Sequence, residues 1–278
     1  MKVLITEPLA SEGVDILKKN VDVDIKLRLT SEDLISIIGQ YEGLMIRSET
    51  KVTRAVIEAG KKLLVIARAG VGVDNIDLDA ATQKGIVVVN APAANTISAA
   101  EHTIALMFAL ARHVPQAHIH LQAGQWLRNN FVGVELRSKT IGIVGLGNVG
   151  SEVARRAQAL QMRTIAHDPF VSPEYAHNLG AELVSLEDLL KQSDFITLHV
   201  PLSVQAKGLI GAKELSLVKP TVRIINCARG GLIDEQALAL AIDEGKVAGV
   251  PELVQEFPAV FVLGLVIDDG RHVLNVHG

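Results

Sequence analysis

Thr140-Ile141-Gly142-Ile143-Val144-Gly145-Leu146-Gly147-Asn148-Val149-Gly150, with the run from Ser151 to Asp168 behind it, decides the fold. Thr140 to Val144 is a buried-strand run, and Gly145 to Gly150 forms a G-x-G-x-x-G turn. Ser151 to Leu160 then places Val153, Ala157 and Leu160 on one helical stripe. Met162 to His167 returns to strand, and Asp168 ends it. Each residue type has a task. Gly145 permits the tight turn, Gly147 leaves room for a pyrophosphate against the backbone, and Gly150 lets helix and strand pack closely. The first helical N–H groups face the phosphates with the positive end of the helix dipole behind them. Asp168 has the spacing of a carboxylate that accepts hydrogen bonds from an adenosine ribose. Such a bond contributes roughly 1.5–3 kcal/mol, whereas a 2′-phosphate would meet repulsion of up to about 4 kcal/mol at ~4 Å and an effective dielectric near 20. NAD is therefore expected over NADP. The plainer alternative, a turn and nothing more, leaves the acid and second strand unexplained.

Working outward, 278 residues suggest about two domains, and 49% apolar residues suffice for buried sheets. Aromatic residues are only 3%, so Val, Ile, Leu and Ala must fill the core, as buried parallel strands prefer. A net charge of −4 gives no electrostatic reason for a nucleic-acid or membrane partner, so a small anionic substrate must be held locally. A single cysteine, Cys227, excludes an internal disulfide. Met1 to Pro8 reads as a strand rather than a signal peptide, and Ile104 to Ala111 is far short of the ~20 residues a membrane helix needs. A cytoplasmic protein is expected.

Alternation of strands and helices predicts α/β architecture with doubly wound parallel sheets. An internal echo predicts two related lobes. Leu63 to Gly70 leading into Asp77-Leu78-Asp79 parallels Val222 to Gly231 leading into Asp234-Glu235-Gln236, and the strand at Lys2 parallels that at Thr140. We read residues 1–94 as a flavodoxin-like substrate-binding lobe, 95–249 as a Rossmann NAD-binding domain with a dimerisation helix, and 250–278 as an atypical tail. A cleft between lobes is the expected ligand site. Ser98-Ala99-Ala100-Glu101 reads as a capping box with Ser98 at the N-cap. The apolar run from Thr103 to Ala111 is expected to pack on both sides, between lobes or against a second subunit of a homodimer or higher oligomer.

Six segments carry a resemblance: Ile46 to Thr53, Arg68 to Asn75, Asn90-Ala91-Pro92, Gly145 to Gly150, His199-Val200-Pro201-Leu202 and Asn226 to Glu235. In this order the chain resembles the D-isomer-specific 2-hydroxyacid dehydrogenase family, over Met1 to about Gly249. The resemblance implies NAD-dependent oxidation of 3-phospho-D-glycerate to 3-phosphooxypyruvate, in serine biosynthesis. Other activities of the family, on glyoxylate, hydroxypyruvate or lactate, remain open, as does a non-catalytic NAD(H)-sensing scaffold. Arg229 matches the family's catalytic arginine, and its planar fork suits a carboxylate; pairing with Asp234 or Glu235 is the plainer alternative. By the same resemblance Val71, Asn148, Val149, Asp168, Val200, Cys227 and Ala228 line the cofactor with Gly145, Gly147, Gly150 and Arg229. The backbone around Ala69, Gly70 and Val71 receives the substrate carboxylate, and Arg47 and Ser48 contact the substrate.

Hydride can leave C2 of a hydroxy acid only as the hydroxyl proton is taken, which requires a base, usually histidine. Cys227 lacks an adjacent base, His118 and His120 lack companion ligands and no metal is expected, and His199 is expected to line the pocket. His167 should point away from Asp168. After Gly249 the family's pattern breaks, and ungapped counting puts its expected glutamate on Pro258. His277 and Glu256 are the nearest candidates for the base and its partner. Val260 to Val276 reads as a β-hairpin around Asp268-Asp269-Gly270, like part of a regulatory extension of long family members. We expect the chain to be discontinuous or truncated near Gly249; if it is complete as read, cofactor binding with little turnover is expected.

Overall fold

The structure, a computed structural model, describes residues 1–248 together with the backbone of 267–268 and 272–273. The chain divides into two compact units, with the boundary between Asn95 and Thr96.

The first unit contains β1 (Lys2–Ile5), α1 (Ser11–Lys18), β2 (Asp22–Ile25), α2 (Ser31–Ile37), β3 (Gly43–Ile46), α3 (Arg54–Ala59), β4 (Val65–Arg68), α4 (Leu78–Gln83) and β5 (Val87–Asn90). Its sheet runs β2-β1-β3-β4-β5 with every pair parallel. This is the doubly wound order in which the chain reverses direction between β1 and β3, where ligands of such folds bind at the carboxyl ends. Leu4, Leu44, Ile46 and Ile66 are fully buried with Val56 and Ile57 of α3.

The second unit opens with α5 (Thr96–Arg112) and α6 (Val114–Gln122), followed by β6 (Thr140–Val144), α7 (Asn148–Ala159), β7 (Arg163–His167), α8 (Pro173–Asn178), β8 (Ala181–Leu183), α9 (Leu186–Gln192), β9 (Phe195–Leu198), α10 (Ala212–Leu215), β10 (Arg223–Asn226) and α11 (Glu235–Asp243). The parallel sheet order β10-β9-β6-β7-β8 is that of a dinucleotide-binding fold. All five residues of β6 are buried, as a central strand covered on both faces requires. Ile141, Ile143, Val153 and Ala157 fill one side of the sheet; Val144, Ile196, Leu198 and Leu238 fill the other.

The internal echo is a repeated structural device. Asp77 caps α4 by accepting from the Ala80 N–H at 2.8 Å, and Asp234 caps α11 from the Ala237 N–H at 3.0 Å. The residue before each cap makes a parallel bridge, Ile76 to Val52 and Ile233 to Ile210. The expected capping box at Ser98 is displaced. A turn closed by the Ala94 N–H on Ala91 O feeds the chain into α5 at Thr96, so Ser98 lies within the first turn. Glu101 faces Arg156 of α7 instead, at 3.6 Å. Burial of α5 is one-sided: Ala100, Thr103, Met107 and Ala111 are buried, while Ile97 and Phe108 are exposed. From the tail, β11 (Ile267–Asp268) and β12 (His272–Val273) pair antiparallel, within the stretch read as a hairpin.

Candidate functional site

The glycine turn of the second unit is shaped by contacts no larger residue would allow. Gly145 has φ +93°, and a Cβ there would lie 2.7 Å from His199 O. At Gly150 a Cβ would lie 2.0 Å from Gly145 O, so the helix can cross the turn only without a side chain. Gly147 is different: it is the N-cap of α7 in extended conformation, and a Cβ would meet nothing within 4 Å. As a glycine, Gly147 supplies no side-chain cap to α7. A helix start of this kind, with an unobstructed glycine before it and the Val149 amide in its first turn, is where a pyrophosphate binds.

Asp168 ends β7 with both oxygens engaged by backbone, Oδ2 accepting from Leu146 N–H at 2.8 Å and Oδ1 from Phe170 N–H at 2.9 Å. The carboxylate is thus fixed on the glycine turn, and each oxygen keeps a lone pair for a ribose hydroxyl. Buried Ser151 donates to Leu146 O at 3.0 Å and meets Tyr175 Oη at 3.1 Å, which clasps the turn from behind. Sequence reasoning passed over Tyr175, because nothing local in α8 signals a contact 24 residues away. His167 turns from Asp168, its Nδ1 lying 3.1 Å from Val184 O.

Val200 borders Gly145, where a Cβ would come within 2.8 Å of Val200 Cγ1. His199 Nε2 lies 3.0 Å from Thr197 Oγ1. Burial pushes the imidazole from 6.5 down to about 4, so the ring is neutral at physiological pH and is not a base tuned for proton abstraction. The folded chain therefore resists a proton that the unfolded chain accepts near pH 6.5. His199 is without penalty above that value, and stability falls as pH drops from 6.5 to about 4, by about 3 kcal/mol at most. His199→Gln should remove about 2 kcal/mol of the difference between urea-unfolding free energies at pH 7 and 4.5. An acid slope unchanged by the substitution would contradict this assignment.

Arg229 follows β10 on a turn that Asn226 holds. Asn226 is 1% exposed; its Nδ2 donates to Arg229 O at 2.7 Å and its Oδ1 accepts from Ala228 N–H at 3.0 Å. Arg229 Nη1 donates to Ala228 O at 2.8 Å. An asparagine two residues before the amide it binds is a legible turn signal, and it marks Asn226 as the residue that orients Arg229. Burial pushes the Cys227 thiol up, against a weaker lowering by Thr103, so Cys227 is a packing residue rather than a nucleophile.

In the first unit, Arg47 is exposed and Ser48 half-buried on the loop after β3. Glu7, two residues past β1 and 5% exposed, fills the loop's interior. Its Oε1 accepts from the N–H groups of Arg47 at 2.8 Å and Thr50 at 3.0 Å, and its Oε2 from Glu49 N–H at 3.0 Å. Burial alone would raise the carboxyl, but these bonds from Glu49, Thr50 and Arg47 outweigh it and hold it below the ordinary glutamate range. Asn75 Nδ2 donates to Arg47 O and Thr50 O at 2.9 and 2.7 Å. Arg68 spans two loops, Nε donating to Arg47 O at 3.1 Å and Nη1 to Gly72 O.

In the turn from Ala69 to Val71, two amides are taken by the backbone. Ala69 N–H donates to Ile46 O and Gly70 N–H to Arg68 O, both at 2.9 Å. Among the described residues the next two amides, Val71 and Gly72, have no backbone acceptor. Asn90 Nδ2 donates to Val71 O at 2.6 Å.

His277 and Glu256 lie outside the described residues. His118 is exposed on α6, and His120 packs on Phe131 with ring centroids 5.5 Å apart. Among the described residues no group of His, Cys, Asp and Glu could hold a metal, and no helix is long and apolar enough to cross a membrane.

Residues 104–251 match the family described as D-isomer specific 2-hydroxyacid dehydrogenase, NAD binding domain. A D-3-phosphoglycerate dehydrogenase of Archaeoglobus fulgidus is 53% identical over 249 residues, 89% of this chain and 47% of that protein. The chain spans about half the length of the curated relatives it matches. Among solved structures, D-lactate dehydrogenase from Aquifex aeolicus, complexed with NAD and lactic acid, is 30% identical with a TM-score of 0.80, over 90% of this chain and 75% of that one. A glyoxylate reductase from Paecilomyes thermophila is 33% identical with a TM-score of 0.81, over 89% and 79%.

Proposed function

Because the chain belongs to the D-isomer specific 2-hydroxyacid dehydrogenase family and contains its NAD-binding domain, we propose that it oxidises 3-phospho-D-glycerate to 3-phosphooxypyruvate with NAD, in the cytoplasm, as part of serine biosynthesis. The observation that carries the reading is the placing of the glycine turn and Arg229 beyond the carboxyl ends of β6 and β10, flanking β9 in one sheet. Ligands of open α/β sheets bind at that end.

When bound, NAD supplies the hydride acceptor. Amides of the first turn of α7 hold the phosphates, and Asp168 accepts from the ribose. The Arg229 guanidinium grips the substrate carboxylate and stabilises the carbonyl oxygen as negative charge gathers on it. Within the first unit, Arg47 and Ser48 are the contacts for an anionic substrate group, beside the Val71 amide. For the base that takes the C2 hydroxyl proton and its partner, His277 and Glu256 are the candidates in this chain, and both lie outside the described residues.

Exposed apolar side chains support a homo-oligomer as the working assembly. The second unit presents Val114, Ile119 and Leu121 on α6, which has no buried residue, and beyond it Trp126 at 76% and Val132 at 71% exposure. A surface run of this size is what a self-association face offers.

The test is NADH formation, at 340 nm, from 3-phospho-D-glycerate, D-glycerate, D-lactate and glycolate. The expected kcat/KM for the phosphorylated acid exceeds the others by about 10- to 100-fold, the worth of one charged hydrogen-bonded contact. Preference for an unphosphorylated acid would move the chain to a lactate- or glyoxylate-type activity. NADH binding that changes assembly without turnover would favour a sensing scaffold.

A further inference from the structure

We infer that Glu7 is the positioning residue of the substrate site: its buried carboxylate, bound by the Arg47, Glu49 and Thr50 amides, sets the loop that presents Arg47 and Ser48. The inference rests on the reading of Arg47 and Ser48 as substrate contacts. Glu7 lies two residues past β1 and the loop follows β3, the two strands between which the first sheet changes direction. In open α/β sheets ligands bind at such a point, because the two connections leave in opposite directions.

A loop in such a place needs partners for its amides, and solvent or ligand would ordinarily supply them. Here the chain does so itself. Glu7 takes three amides, and Thr6 Oγ1 meets Thr50 Oγ1 at 2.8 Å. Asn75 and Arg68 bind carbonyls on the same loop. With its interior amides spent on Glu7, the loop turns outward the exposed Arg47 guanidinium and half-buried Ser48. Glu7 is 5% exposed and acts through the loop rather than on the reacting atoms. A glutamine in its place would bring an NH2 group against backbone N–H groups, lose the charge, and release part of the loop.

The experiment uses the chain and its Glu7→Gln, Glu7→Asp and Arg47→Ala variants. Calorimetry gives the affinity for 3-phospho-D-glycerate, fluorescence titration that for NADH, and amide hydrogen exchange the order of the loop. Glu7→Gln is expected to weaken 3-phospho-D-glycerate about tenfold, to leave NADH within about twofold, and to speed exchange at Arg47, Glu49 and Thr50. Glu7→Asp keeps the charge and should recover part of both losses. Arg47→Ala should weaken 3-phospho-D-glycerate without changing loop exchange. If Arg47→Ala weakens the acid and Glu7→Gln binds it as the parent does, the inference about Glu7 fails and the substrate reading stands. Parallel loss of NADH and substrate affinity in both Glu7 variants, with exchange faster throughout the unit, would make Glu7 a general fold residue and overturn the inference. If the parent chain does not bind 3-phospho-D-glycerate, or Arg47→Ala binds it unchanged, the substrate reading fails and takes the inference with it.

Discussion

Arg229→Ala is expected to lower 3-phosphoglycerate-dependent NADH formation by about 10²- to 10³-fold in kcat, the measured scale for removing one preorganised donor from developing charge. The turn that carries Arg229 is built before any ligand binds, because Asn226 spends both ends of its amide on Ala228 N–H and Arg229 O. Removing the side chain therefore leaves the two Asn226 bonds that hold the turn, and deletes the guanidinium with its bond to Ala228 O. Affinity for NADH should change little, which separates loss of chemistry from loss of cofactor. Arg229→Lys should restore only a small part, since a point charge cannot reproduce a planar, two-pronged contact with a carboxylate. Initial rates at saturating NAD with fluorescence titration of NADH check this. A variant within about threefold of the parent rate would remove Arg229 from the chemistry.

The second large effect contrasts two glycines of one motif. Gly147→Ala should leave the melting temperature unchanged, since its backbone is extended with φ −73° and nothing lies within 4 Å of the new methyl. The same methyl stands where the phosphates approach α7, so NADH should bind about 10- to 100-fold more weakly, the cost of one or two lost charged contacts. Gly150→Ala should fail differently. Its Cβ would lie 2.0 Å from Gly145 O, so α7 must move off the turn. Overpacking of this kind costs about 1–3 kcal/mol or more, and should lower the melting temperature by several degrees as well as abolishing NADH binding. Thermal melts beside NADH titrations separate the cases. If Gly147→Ala binds NADH like the parent, the dinucleotide does not lie on this turn.

Much of this was legible because periodicity and glycine placement are local properties. The run from Thr140 to Asp168 announced β6, α7, β7 and the acid in order, and the paired aspartates at Asp77 and Asp234 marked equivalent helix starts in both units. What escaped was long-range. Glu7 reads as an ordinary glutamate after a short strand, and its role arises only when β1 and β3 pair and bring residues 40 to 43 positions apart together. Ser98 misled for the opposite reason: its spacing to Glu101 is a good local cap, but the preceding turn had already started α5. The amides of Ala69 and Gly70 could not be excluded as anion donors until the acceptors on Ile46 and Arg68 were known.

The internal acid beneath the Arg47 loop has a consequence for how the protein diversifies. A scaffold whose bends are fixed from below leaves the outward residues at 47 and 48 free to be exchanged, since neither side chain holds the curve it stands on. Substrate preference in such a lineage can drift by single codons, while replacement of the hidden glutamate would unsettle every specificity at once.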